Sequence, residues 1–191
     1  MNIQISEVAN LPSRFGDFKV KAFKELHKNG AKEHLVIYKN KLDEVPIVRV
    51  HSECLTGDAI GSLKCDCRDQ LEYALKLANE TNGMVIYLRQ EGRNIGLLNK
   101  INAYALQDQG FNTIEANHQL GFAADERTYE IVTYILHHFD IHKIKLLTNN
   151  PDKINSISDI EIVERVPIIM KTNKHNQDYI HTKKEGMGHL F

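Results

Sequence analysis

The feature that most constrains the fold of this chain is Met84-Val85-Ile86-Tyr87-Leu88, five apolar residues without a polar break. A half-exposed strand alternates, so an unbroken run of this length marks a strand covered on both faces. Helical patterns stand on either side of it. Leu71, Ala74, Leu75 and Ala78 recur at helical spacing, and Leu97, Ile101, Tyr104 and Ala105 form a second stripe that stops near Gly110. Val132, Ile135, Leu136 and Phe139 form a third, and the strand-like Ile144-Lys145-Leu146-Leu147-Thr148 follows it. The first third reads mainly as strands: Gly16 to Ala22 alternates, while Leu35 to Tyr38 and Ile47 to Val50 are short β-branched runs. The expected class is α/β (or α+β), a strand-rich N-terminal part followed by alternating helices and strands. The length suits one domain spanning residues 1–191. The polar, partly basic stretch from Thr172 to Phe191 reads by composition as a loose tail.

Composition narrows the function classes. Hydrophobic residues make up 42% and charged residues 26%, an ordinary soluble balance. No stretch approaches the roughly 20 apolar residues of a membrane helix, and the opening Met1-Asn2-Ile3-Gln4-Ile5 lacks the basic-then-apolar order of a signal peptide. A net charge of −1 disfavours nucleic acid as a partner, because phosphate-backbone binding needs a basic excess. An odd number of cysteines without an export signal argues for a reducing, cytoplasmic compartment and against a disulfide framework.

All 3 cysteines fall in one window, Cys54 and then Cys65-Asp66-Cys67. Thiolates suit zinc, and three of them leave one tetrahedral position open, as a catalytic zinc does. The alternative is buried thiols packed as small hydrophobes. Their neighbours Ser52, Glu53, Lys64, Asp66 and Arg68 are poor company for a core. Neither Gly-x-Gly-x-x-Gly nor a P-loop is present, but three other segments suit anions. Arg89 to Gly96 follows the buried strand and opens a helix, with two glycines and two arginines. Thr148 to Lys153 runs strand, turn, helix start, with Asn150 as N-cap and Pro151 at the first helical position. In Asn117 to Arg127, Asp125 reads as the cap of a following helix and Arg127 as a charge on its first turn. Each of the three also reads as a plain polar turn or cap. His51-x-Glu53 resembles the His-x-Glu of zinc nucleobase deaminases, but Cys-x-Cys with no proline before it makes the match partial.

Taken together these segments closely resemble GTP cyclohydrolase II, the zinc enzyme that opens the guanine ring of GTP at the start of riboflavin synthesis. The resemblance rests on Arg49 to Asp58, Cys65-Asp66-Cys67, Arg89 to Asn99, Ala103 to Gly110, Asn117 to Arg127 and Leu147 to Pro151. Tyr179 to Lys183 and Gly188-His189 look like the family's ending, which speaks against a loose tail. The resemblance implies a monofunctional enzyme in which Cys54, Cys65 and Cys67 hold one zinc per subunit. Magnesium would ride on the substrate polyphosphate. It carries nucleotide contacts onto Arg49, Val50, His51, Ser52, Glu53, Gln70, Glu91, Gly92, Arg93, Thr113, Thr148 and Lys153. Ring opening and a second hydrolysis would release formate. Pyrophosphate departure would involve Arg127 as nucleophile on the α-phosphate and Asp125 as proton acceptor, or Arg127 as an electrostatic stabiliser. Tyr104 maps onto a tyrosine near the zinc that donates or relays a proton. A homodimer is implied as well. One departure is Arg68, where the family usually has glycine after the second cysteine. Rival readings are a zinc nucleobase deaminase, suggested by His51-x-Glu53, and a zinc nucleotide-binding protein without catalysis.

Overall fold

The structure, a computed structural model, describes residues 2–28, 30–123, 125–186 and 188–190. Eight strands lie in one sheet among them: β1 (Asn2–Ile5), β2 (Ala9–Ser13), β3 (Gly16–His27), β4 (Gly30–Tyr38), β5 (Ile47–Ser52), β6 (Met84–Leu88), β7 (Lys143–Leu147) and β8 (Glu161–Val166). The helices are α1 (Leu55–Asp58), α2 (Cys67–Glu80), α3 (Gly96–Asp108), α4 (Thr113–Gln119), α5 (Glu130–His138), α6 (Pro151–Ser156) and α7 (Gln177–His181). The mixed α/β class expected from the periodicities is the observed one.

The sheet has two halves. β1, β2 and β4 pair antiparallel with β3, and β4 pairs antiparallel with β6. From there β6, β5, β7 and β8 run parallel. Parallel strands need crossover helices, so both faces of this half are covered. That is why β6 is an unbroken apolar run: Met84, Val85, Ile86 and Leu88 are all fully buried. Its Met84, Ile86 and Leu88, with Val48 and Val50 of β5, pack under α5 through Ile131, Val132, Ile135 and Leu136. Val85, Ile37 and Leu147 face the other way, onto Ala74 and Ala78 of α2. Each such Val, Leu, Ile or Met side chain contributes about 1.5–3 kcal/mol on burial.

Periodicity and composition alone leave facing and order open at two places. The stripe Leu97, Ile101, Tyr104, Ala105 is helical, as α3, but it does not face a core. Leu97 is 41% and Ile101 46% exposed, whereas Lys100 and Ala103 are buried. The inward face of α3 borders a polar cleft, so Lys100, Ala103 and Tyr104 turn inward while Leu97, Leu98 and Ile101 turn outward. The C-terminal stretch is not a loose tail: it forms α7 and a π-helical turn, Thr182–Gly186, docked on the same cleft. No helix among the described residues is long and apolar enough to cross a membrane.

Candidate active site

The cleft opens at the carboxyl ends of the parallel strands, where an open α/β sheet places its ligands. Three strand ends feed it: Ser52–Cys54 after β5, Arg89–Gly96 after β6, and Thr148–Lys153 after β7. Strand alternation does the sorting in β5. Val48 and Val50 point to the core under α5, so Arg49 and His51 point to the opposite side, into the cleft.

The three sulfurs lie within 4.8 Å of one another, the one such group of metal-ligating side chains among the described residues. Cys54 Sγ is 3.7 Å from Cys65 Sγ. Two sulfurs each about 2.3 Å from a tetrahedral zinc lie about 3.8 Å apart, so the donor set and its spacing fit that ion. Gly57 makes the approach possible, because a Cβ there would stand 2.8 Å from Cys65 Sγ and 3.1 Å from Cys54 Sγ. Charge concentrates on Cys54: hydrogen bonds from Cys65 and Cys67, and then the Lys100 ammonium, hold its thiol far below the usual range against its burial. The hydrogen bond with Cys54 is the leading cause that pushes Cys65 up to about 11 and Cys67 well above the ordinary thiol value. A divalent cation favours all three thiolates, releasing their protons as it binds. Cys54 itself is fixed through its backbone, whose N–H donates to Asp58 Oδ2 at 3.0 Å.

The deaminase-like pair is differently engaged. His51 Nε2 lies 3.2 Å from Asp58 Oδ1, and the ring is buried and held below its ordinary pKa by burial. Glu53 accepts from Arg89 Nε at 2.8 Å. Neither joins the sulfurs.

Cations line the rest of the cleft. Arg49 is buried, donating to Leu147 O at 3.0 Å and to Gln70 Oε1 at 2.6 Å, and burial lowers it to about 10. Lys153 is buried on the Val50 carbonyl, 2.8 Å away. Val50 thus contributes only backbone, its side chain being in the core. Ser52, Glu91, Gly92, Arg93, Thr113 and Thr148 all line the cleft. Tyr104 does too, with its hydroxyl 3.3 Å from Thr56 Oγ1 and its pKa pushed up to about 12 by burial.

Asp125 does not cap a helix. The next helix, α5, begins at Glu130, and residues 125–129 are irregular. Asp125 instead folds onto Arg127, accepting from its backbone N–H at 3.0 Å and its Nε at 2.8 Å, and from its Nη2. Two residues that a helix would have turned apart are joined by this ion pair. Its position is set by the loop after β6, where Gly92, Arg93 and Asn94 take φ of 61°, 59° and 76° in succession. Left-handed backbone at two non-glycine residues is strained and persists only when its surroundings hold it. They do: Asn94 N donates to Gln90 O at 3.2 Å, Asn94 Nδ2 to Glu126 O at 3.0 Å, and Glu126 N to Arg93 O at 3.2 Å. The two loops clamp each other, and Arg127 is delivered into the cleft, with Nη1 3.4 Å from Ser52 Oγ.

Several residues here were given no site role from sequence, although Tyr179 to Lys183 and His189 belong to the family-like ending. Lys183 pairs with Asp66 Oδ1 at 2.8 Å, and Tyr179 and His189 line the cleft beside it. Burial would raise the Asp66 carboxyl, yet Lys183 and Gln70 hold it below the usual range. Lys100 reaches Cys54 Sγ at 3.1 Å and Glu91 Oε1 at 2.7 Å. A charged residue within a helical apolar pattern was the only hint of it. Arg68 points away, to Glu72 Oε1 at 3.2 Å on the outside of α2, and takes no part in the cleft.

Comparison with known proteins agrees with this geometry. The sequence profile of GTP cyclohydrolase II matches residues 4–167. A GTP cyclohydrolase-2 of Campylobacter hominis is 65% identical over 190 residues, covering 100% of this chain and 96% of its own length. One from Helicobacter hepaticus is 56% identical over 193 residues, covering 100% of both. Among solved structures, a two-domain 3,4-dihydroxy-2-butanone 4-phosphate synthase from A. baumannii covers 88% of this chain and 40% of its own. It does so at 17% identity and a TM-score of 0.45, too loose to bear on the site. With a family profile over most of its length and close relatives over all of it, this chain belongs to the GTP cyclohydrolase II family and is an enzyme, a hydrolase of that kind.

Proposed function

We propose that this chain opens the imidazole ring of the guanine of GTP by zinc-dependent hydrolysis. Carbon 8 leaves as formate and the polyphosphate end leaves as pyrophosphate. The product is a diaminopyrimidinone ribosyl phosphate, at the first step of riboflavin synthesis. The observation that carries this reading is the sulfur cluster of Cys54, Cys65 and Cys67 in one cleft with Arg49, Arg127 and Lys153. Zinc held there supplies a Lewis acid that makes water nucleophilic near neutral pH. The substrate carries magnesium on its phosphates, held largely by substrate and water.

The chain's own residues divide the remaining work. Arg49, Arg93, Lys153 and the cleft-lining Ser52, Thr113 and Thr148 bind the nucleotide. His51, Glu53, Gln70, Glu91 and Gly92 shape its base-proximal wall, and the Val50 carbonyl holds Lys153 in place. Tyr104 keeps its proton at neutral pH, since burial raises it to about 12, and donates a hydrogen bond or relays a proton to the opening ring. Because His51 hydrogen-bonds Asp58 instead of joining the sulfurs, ring opening is favoured over deamination.

Arg127 acts electrostatically. Burial works against its charge, but the hydrogen bonds to Asp125 outweigh it and raise the guanidinium above its already high value. A protonated guanidinium has no lone pair to attack phosphorus, whereas it stabilises charge developing on a transferring phosphoryl group. Rapidly quenched turnover samples are expected to contain no phosphorylated Arg127 by mass spectrometry; an adduct on that residue would make it the nucleophile.

The chain is read as a single domain of this family, working in the cytoplasm as a homodimer, without nucleic acid or membrane as partner. Purified protein with GTP and magnesium should yield formate, pyrophosphate and a diaminopyrimidine. Cys54→Ser should lose both zinc and ring opening. Ammonia in place of formate, or nucleotide binding without turnover, overturns the reading.

A further inference from the structure

A lysine is rarely buried unless its charge is met. The Lys100 side chain is 9% exposed and lies against Glu91, itself 10% exposed, at 2.7 Å. That pair alone would satisfy the charge. Yet the ammonium also stands 3.1 Å from Cys54 Sγ, the closest polar contact made by any of the three sulfurs among the described residues. The stem is guided there. It passes under Gly92, where a Cβ would stand 3.0 Å from Lys100 Cβ and 3.1 Å from Ile95 Cγ1, so only glycine leaves the path open. Glu91 is held in turn by Leu55 N at 2.6 Å and Gly92 N at 2.8 Å. Lys100 and Glu91 therefore link the residue after Cys54, the sulfur itself and the strained loop carrying Arg93.

Three thiolates on zinc leave a net negative centre and push electron density onto the metal, which weakens it as a Lewis acid. A charged N–H donor on one sulfur withdraws part of that density and offsets the charge. We propose that Lys100 is a positioning residue of the metal site. It donates to the Cys54 thiolate, strengthens zinc binding and tunes the metal's acidity, and through Glu91 it ties the metal site to the loop after β6. This rests on the zinc reading above.

The test compares wild type, Lys100→Met and Lys100→Arg, with zinc affinity measured by competition against a chromophoric chelator. The sulfur-to-metal charge-transfer band is measured separately on cobalt-loaded protein. Lys100→Met should bind zinc about 10–100-fold more weakly, the usual effect of losing such a partner. Its charge-transfer band should move to lower energy, because an unbonded thiolate is easier to oxidise. Lys100→Arg keeps a donor and should recover most of both. A mere loss of packing would weaken affinity without moving the band. If Lys100→Met does not fold, Lys100→Gln is read the same way. A band in its wild-type position with affinity within about twofold overturns the inference. Wild type that takes up cobalt without any thiolate band overturns the zinc reading itself.

Discussion

Lys153 of α6 is buried with its ammonium on the Val50 carbonyl of β5, 2.8 Å away, and no carboxylate among the described residues bonds to it. Burial first, and then Arg49 and Arg127, hold its pKa well below the ordinary 10.5. Between that lowered value and the ordinary one, the folded protein binds fewer protons than the unfolded chain. Stability therefore rises with pH across this window, and it falls as the ammonium is forced to charge at lower pH. A polyphosphate held there, as proposed, would reverse the balance by restoring the charged form. At a pH above the lowered value, binding of a non-hydrolysable GTP analogue should take up protons, read as a calorimetric heat that depends on the ionisation enthalpy of the buffer. Lys153→Met should lose that dependence; an unchanged dependence would remove Lys153 from the phosphate site. The same logic separates residues that were legible from those that were not. Cys54, Cys65 and Cys67 were legible because thiolate chemistry is particular. Lys100 and Lys183 were not, since a lysine in sequence is presumed solvated and only packing reveals the partner that keeps it inside.

At the scale of elements, α3 shows what periodicity can and cannot establish. Its spacing marks a helix, but which face turns inward depends on what lies opposite, and here that is a cleft needing Lys100 and Tyr104. The helix α4 was missed although its start is marked, for Asn112 and Glu115 form a reciprocal capping box. The segment is short and carries too few apolar residues for a stripe. The C-terminal segment was misread by composition because its polar residues are spent on the cleft: Lys183 meets Asp66, and Leu190 N donates to Asn149 O at 2.8 Å. Ending the chain at Lys171 should leave a folded protein by circular dichroism. The cut removes the cleft-lining Tyr179, Lys183 and His189; one charged contact to the nucleotide lost with them, about 1.5 kcal/mol, would raise KM for GTP about tenfold. An unchanged KM would show that α7 and the turn after it are bystanders.

At the scale of the molecule, the antiparallel half of the sheet extends a parallel half whose carboxyl ends hold every strand-borne part of the site. Outside the cleft, Leu97, Leu98 and Ile101 leave an apolar face on α3, with Leu98 76% exposed. The homodimer proposed above would have reason to bury such a face. Light scattering should give a dimer for wild type and a monomer for Leu98→Glu, and a dimer in both would place the contact elsewhere. The sequence by itself determined the class of fold, the buried strand β6 and the three cysteines that could hold a metal, because apolar periodicity and ligand chemistry are local properties. Only the tertiary structure decided which face of α3 is inside, how Asp125 and Arg127 meet without a helix, and that Lys100 and Lys183 belong to the site. The lysine contacts join residues 9 to 117 apart, and the Asp125–Arg127 pair, though local, is set by the Asn94–Glu126 contact between loops 32 residues apart, so no local pattern records them.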